Sequence, residues 1–232
     1  MRLDRKLKEW VIVIAGGGVS PLFLERSWED FCKKSGGKER VSVVAVDRGA
    51  DSWFSLFKSG KVLLPDWVVG DFDSFKKEGI PTGVGVLEFS KEKDFSDLEG
   101  ALREISKSPM VKRVCIVGIV TSLEKRFDHA LGVFLAALKF CPQFESIEFL
   151  NPEGLFICLS QGNSYQCALK KGVPFSVFSF FESRVTLKGA RYELLDAVLS
   201  PGTQGLSNES LGEEISFQVH SGAGIFAIPG YF

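Results

Sequence analysis

The chain has no C-x-x-C pair, no apolar run near the length of a bilayer, and no excess of charge of either sign. Each absence removes a class of function. The five cysteines (Cys32, Cys115, Cys141, Cys158 and Cys167) are scattered and odd in number, which argues against a zinc cluster or a dithiol redox pair. Cys115 and Cys158 lie inside apolar runs and read as small core residues. Lys and Arg total 28 against 29 Asp and Glu, a formal net charge of -1. No global basic field therefore draws the chain to nucleic acid or to an anionic membrane. A membrane-spanning helix needs about 20 apolar residues, and no run approaches that. Val11–Ala15, which precedes three glycines, is too short for a secretory core. There is no fixed-period repeat and no low-complexity segment. The expectation is a reduced, soluble, cytoplasmic protein without nucleic-acid or membrane partners.

What is present is a globular composition: 232 residues, 45% hydrophobic and 25% charged. That length suits one large domain or two small ones. The first part alternates buried-strand and helical signals. Val11–Ala15, Val41–Val46, Trp67–Val69, Val84–Phe89, Val114–Val117 and Ile147–Leu150 are short apolar runs that predict strands. Ala50, Trp53, Phe54 and Phe57 share a helical face, as do Leu98, Ala101, Leu102 and Ile105. Ala130–Leu138 is apolar nearly all round and predicts a buried helix. This alternation predicts a mostly parallel sheet with helices on both faces. After about residue 150 short strands punctuated by Gly, Pro, Ser and Asn take over, from Leu155–Leu159 to Gly224–Ile228. They predict an antiparallel β-sandwich. The expected fold is α/β: an N-terminal α/β domain over 1–150, followed by a sandwich domain over 151–232.

Ligands of open parallel sheets bind beyond the carboxyl ends of the strands. Here those ends deliver acids. Val41–Val46 runs into Asp47, and Trp67–Val69 runs through Gly70 into Asp71 and Asp73. The next two ends lead to Lys93-Asp94-Phe95-Ser96-Asp97 and to Arg126-Phe127-Asp128-His129. Clustered carboxylates repel one another unless a cation is present. A magnesium ion with a polyphosphate accounts for both kinds of residue, the acids holding the metal and the bases the phosphate oxygens. Local structural roles compete with this. Asp94 and Asp128 have the position of helix N-caps, Asp97 that of a first-turn acid, and Asp71-Phe72-Asp73-Ser74 that of an Asx turn. The recurrence of acids at successive strand ends favours the ligand site. His129 reads as a polar residue at a helix start. Gly16-Gly17-Gly18 lacks the G-x-G-x-x-G spacing, although it allows close approach to the backbone.

These residues carry a resemblance. Asp47-Arg48-Gly49-Ala50-Asp51, Pro65-Asp66, Gly70-Asp71-Phe72-Asp73-Ser74, Lys93-Asp94-Phe95-Ser96-Asp97 and Arg126-Phe127-Asp128-His129 follow, in order, the motifs of the thiamine pyrophosphokinase family. Later, Gly189-Ala190-Arg191-Tyr192-Glu193-Leu194 and Ser207-Asn208 resemble its second-domain motifs. The chain departs from the family in three places. Arg48 stands where the family has glycine, Asp51 where it has asparagine, and Glu124-Lys125 where two glycines precede the arginine.

The resemblance implies transfer of pyrophosphate from ATP to the hydroxyethyl oxygen of thiamine, giving AMP and thiamine diphosphate. It implies Mg²⁺ on Asp71, Asp73 and Asp97, with Asp47 and Asp128 completing the catalytic acids. Lys93, Asp94, Ser96 and Arg126 would face ATP, and Tyr192, Ser207 and Asn208 would face thiamine. Tyr192 also reads as a sandwich core residue. A homodimer with a shared site is implied, and Phe175–Phe181 is expected in core and dimer surface. Two other readings stand beside this one: a related diphosphotransferase acting on another hydroxymethyl heterocycle such as a pterin, and a homologue that binds thiamine or a nucleotide without catalysis.

Overall fold

The computed structural model describes residue 3 and residues 7–119, 123–212 and 214–230; the side chains of 123–127 lie outside that description. The chain forms two compact units, Met1–Phe140 with Phe149–Asn151, and Cys141–Glu148 with Pro152–Phe232.

The first unit carries β1 (Trp10–Ile14), β2 (Val41–Val46), β3 (Trp67–Gly70), β4 (Gly85–Glu88) and β5 (Arg113–Val117). They are ordered β5-β1-β2-β3-β4 and every pair is parallel. In β1, β2 and β3 every residue is buried. This is why these strands read as unbroken apolar runs: helices cover both faces, leaving no wet side to impose alternation. The edge strand β4 is only half-buried.

The helices are α1 (Pro21–Ser35), α2 (Gly49–Lys58), α3 (Asp97–Ile105) and α4 (Leu123–Phe140). α1 is an addition to the expected elements, although its signals are in the sequence. The Ser20 hydroxyl accepts from Phe23 N at 3.2 Å, Pro21 opens the first turn, and Leu24, Trp28 and Phe31 are buried. Gly36, at φ 86°, ends it in the left-handed conformation that glycine adopts without penalty. α3 is capped by Ser96, whose hydroxyl accepts from Glu99 N at 3.1 Å, so Asp94 is not the cap. α4 begins at Leu123, ahead of the expected Ala130, which places Asp128 inside the helix and not at its cap.

The boundary between the units runs through β6 (Ser146–Asn151). The second unit then contains β7 (Gly154–Ser160), β8 (Ser164–Ala168), β9 (Pro174–Phe178), β10 (Ser183–Lys188), β11 (Leu194–Leu199), β12 (Asn208–Glu209), β13 (Glu214–Ser221) and β14 (Ala223–Pro229). Two antiparallel layers result, β11-β10-β13-β8 and β12-β9-β14-β7. Ile215, Phe217 and Val219 alternate inward from β13. Phe217 stacks on Phe226 of β14 with ring centroids 6.1 Å apart, and Phe175 and Tyr165 close on the same ring at 5.2 and 6.1 Å. This is the core of a sandwich, in which each fully buried aromatic contributes about 1.5–3 kcal/mol. β11 was not legible as a strand. Its residues do not alternate, Asp196 sits at φ 49°, and the register slips between Val185 and Leu187.

Candidate functional site

Because β1, β2, β3 and β5 are parallel, their carboxyl ends share one edge of the sheet. A cavity of about 400 Å³ opens there, lined among others by Gly16, Gly17, Asp47, Lys93, Asp97 and His129. Asp47 follows β2 at φ 44°, held by its own N–H, which donates to Val69 O at 2.8 Å. Gly70 ends β3 at φ 156°, and a side chain there would meet Asp47 Cβ at 3.2 Å. Glycine at this position lets the β3 end pass close beside Asp47. The chain then turns at Asp71, whose Oδ1 accepts from Asp73 N at 3.2 Å. The Asx turn read from the sequence is therefore real, and it also aims carboxylates. Asp47, Asp71 and Asp73 can each present one oxygen within 4.8 Å of the others. Asp47 Oδ2 accepts from the Ser74 hydroxyl, whereas Asp47 Oδ1 is buried with no hydrogen-bond partner among the described residues. Three convergent carboxylates, one of which also carries a buried orphan oxygen, suit a hard divalent cation.

Lys93 reaches into this acidic group. Its side chain is 8% exposed, and its Nζ donates to Asp71 Oδ2 and stands 3.3 Å from Asp97 Oδ1. Asp97 is thus linked to Asp71 through an ammonium, while Asp47 completes the close trio. The Lys93 hydrogen bond holds the Asp71 carboxyl below the usual range. Burial alone would lower Lys93; its hydrogen bond to Asp71 and the charge of Asp97 outweigh that and leave it raised. Burial pushes Asp97 up, Lys93 offsets only part of this, and the charges of Asp71 and Asp47 add to the rise.

The other expected residues divide. Ser96 and Asp97 line the cavity, whereas Asp94 is exposed and does not. Asp128 is exposed on α4, and the Arg126 side chain lies outside the described residues. His129 was read as a helix-start residue, yet it lines the cavity with Nδ1 buried and unpartnered among the described residues. Arg48 is exposed at the cavity beside Gly16. Ser74 and Gly118 were not singled out as cavity residues. Hydroxyl and glycine positions carry no pattern of their own, and only strand order brings them to this edge.

In the second unit, Tyr192, Ser207 and Asn208 come together. Asn208 is 4% exposed; its Oδ1 accepts from Tyr192 N at 3.1 Å and Glu209 N at 2.9 Å, and its Nδ2 donates to Tyr192 O at 2.8 Å. Ser207 sits at φ 58°, its N–H donating to Ser176 Oγ at 3.2 Å. Tyr192 itself is 63% exposed, so it is not a core residue of the described sandwich. Asn208 holds the turn, and the turn presents the ring. Within Phe175–Phe181, Phe175 is core and Phe181 is 64% exposed.

An acidic cavity at the strand ends of a parallel α/β unit, joined to an antiparallel sandwich, defines the structural class. Family-level sequence models make it particular. "Thiamin pyrophosphokinase, catalytic domain" matches residues 37–149, and "Thiamin pyrophosphokinase, vitamin B1 binding domain" matches residues 168–223. The two matches lie in order and together span well over half of the chain, which belongs to the thiamine pyrophosphokinase family, a family of kinase-type transferases. The fold agrees. The chain is similar to a thiamine pyrophosphokinase structure from Bacillus subtilis, with TM-score 0.70 and 22% identity over 95% of this chain and 98% of that one. It is also similar to one from Geobacillus thermodenitrificans, with TM-score 0.68 and 22% identity over 95% and 97%. A third, from Candida albicans, gives TM-score 0.69 at 12% identity over 96% and 89%. No curated protein sequence matches the chain.

Proposed function

We propose that this chain transfers the pyrophosphoryl group of ATP to thiamine, releasing AMP and thiamine diphosphate. The observation that carries this reading is the convergence of Asp47, Asp71 and Asp73 beside a cavity lined by Asp47, Asp97 and Lys93, with Lys93 bonded to Asp71, in a chain matched by both family domains. In the reaction the hydroxyethyl oxygen of thiamine bonds to the β-phosphorus of ATP. The bond from that phosphorus to the α–β bridging oxygen breaks, and AMP leaves with the oxygen. The hydroxyl proton passes to a carboxylate, for which Asp47 and Asp128 are the candidates. Such chemistry needs positioning and charge neutralisation more than covalent help. Asp47, Asp71 and Asp73 would hold Mg²⁺, with Asp97 joining directly or through water; the ion would neutralise phosphate charge. Lys93, Ser96 and Arg126 are assigned to the phosphates. His129 supplies one further polar contact from α4.

Thiamine is flat and cationic, so an exposed aromatic face suits it. Tyr192, set in place by Asn208 and flanked by Ser207, is the assigned contact. The protein is assigned to the cytoplasm, which five cysteines outside any disulfide support; no described helix is long and apolar enough to cross a membrane. A homodimer is supported by apolar side chains left open on β11, Leu195 at 67% and Val198 at 49% exposed. Gel filtration giving the mass of one chain would count against it.

The deciding experiment is AMP release from ATP and Mg²⁺ with a panel of acceptors. AMP formed with thiamine alone among the acceptors supports the proposal. AMP formed with a hydroxymethylpterin, or thiamine binding without any AMP, overturns it in favour of another acceptor or of a binding protein.

A further inference from the structure

We propose that Lys93 is the resident counter-cation of the acidic cavity, and that its exchange against an incoming divalent cation couples metal binding to polyphosphate binding. The identities of the two ligands rest on the pyrophosphoryl-transfer reading; the exchange itself rests on geometry. Lysine ammonium groups ordinarily extend into water. Lys93 instead is 8% exposed and places Nζ between Asp71 and Asp97. Asp71 is also one of the three carboxylates whose oxygens converge within 4.8 Å. One carboxylate therefore serves both the ammonium and the place suited to a dication. Two cations on one carboxylate repel one another. A bare dication must bind against Lys93.

A polyphosphate changes the balance. Lys93 lines the same cavity as Gly16, Gly17 and Ser96, so phosphate oxygens there offer the ammonium a second anionic partner. The ammonium then leaves Asp71 to the metal at little cost. Metal and polyphosphate favour one another through this side chain, and the coupling is reciprocal. The consequence is useful for a protein of this class, because the cavity resists filling by metal alone and fills when both arrive.

A neutral residue at position 93 raises the affinity for metal alone and lowers the coupling between metal and polyphosphate, which a merely structural role does not. Mn²⁺ is titrated calorimetrically into the metal-free protein, alone and with an ATP analogue carrying methylene at the α–β bridge. Lys93→Met is expected to bind Mn²⁺ alone about tenfold more tightly than the unmodified chain, as expected for removing a nearby like charge. The gain from adding the analogue is expected to shrink by a similar factor. Lys93→Gln, which keeps an amide donor toward the same carboxylates, covers the case in which the methionine variant does not fold. Lys93→Arg keeps the charge and the unmodified pattern. Mn²⁺ binding alone that is unchanged or weaker in both neutral variants overturns the proposal, as does its absence from all of the proteins. Asp71→Asn separates the two levels of inference. If it leaves Mn²⁺ binding intact, the metal assignment fails and the exchange with it. If it weakens Mn²⁺ binding while the Lys93 variants match the unmodified chain, only the exchange fails.

Discussion

Asn208→Ala tests how the second unit presents Tyr192. Asn208 makes three hydrogen bonds to main chain, at 2.8, 2.9 and 3.1 Å, and is 4% exposed. A net hydrogen bond is worth about 0.5–1.5 kcal/mol, and a buried group left without a partner costs about 1–3 kcal/mol. Tyr192 lies at the surface, so water recovers part of what its N–H and C=O lose, whereas the half-buried Glu209 N–H recovers less. The expected cost is therefore about 2–4 kcal/mol. In a chain of this size about 2–4 °C of melting temperature follows each kcal/mol, so Tm should fall by about 4–16 °C. The loosened turn should also raise the KM for thiamine. Tyr192→Ala is the counterpart. The ring is exposed, so Tm should stay within about 1 °C. A lost aromatic contact with a cation, worth about 0.5–2 kcal/mol, should raise the thiamine KM by about 2- to 30-fold. Melting followed by circular dichroism and initial rates at varied thiamine read both effects. Asn208→Ala with unaltered Tm would refute the clamp. Tyr192→Ala with unaltered KM would refute the acceptor assignment while leaving the clamp intact.

Other outcomes follow from the first unit. Asp71→Asn should lower turnover at saturating Mg²⁺ by at least about a hundredfold, the scale of removing one group that stabilises developing charge, with the far-ultraviolet spectrum retained; unchanged turnover would sink the metal assignment. Gly70→Ala places a side chain at φ 156° and 3.2 Å from Asp47 Cβ, so it should cost about 1–3 kcal/mol and weaken Mn²⁺ binding as Asp47 shifts; a stable variant with normal Mn²⁺ affinity would show that the close approach is not needed. Asp71 and Asp97 should act oppositely on acid stability. The native Asp71 pKa is depressed, so its contribution is complete above the unfolded value near 3.8 and is lost as pH falls through the native value. The native Asp97 pKa is raised, so its contribution is complete below the unfolded value and is lost as pH rises through the native value. Asp71→Asn should therefore reduce the gain in Tm between pH 3 and pH 7, and Asp97→Asn should enlarge it; equal profiles in melts across that range would contradict these charge environments.

How much of this was legible in the sequence depends on whether a feature is local. Buried parallel strands were readable because burial on both faces leaves unbroken apolar runs, as in Val11–Ile14 and Val41–Val46. Strand ends were readable for the same reason, and with them Asp47, Asp71 and Asp97. Helix starts were less so. Asp94 and Asp128 have cap chemistry, yet Ser96 takes one cap and α4 begins earlier, because packing decides among several acceptable starts. β11 escaped because a bulged, half-exposed edge strand imposes no period. In the site, residue type foretold the acids but not their partition. Nothing in Lys93-Asp94-Phe95-Ser96-Asp97 says that the lysine turns inward to join Asp97 to Asp71 while Asp94 faces solvent. Only the fold decides that. Ser96 caps α3 and sets Asp97 at its first helical position, while Lys93, in the irregular segment before the helix, brings Nζ to 3.3 Å from Asp97 Oδ1. The serine that looks least chemical in the motif thus fixes the helix start on which Asp97 stands, and the Lys93–Asp97 contact depends on that start.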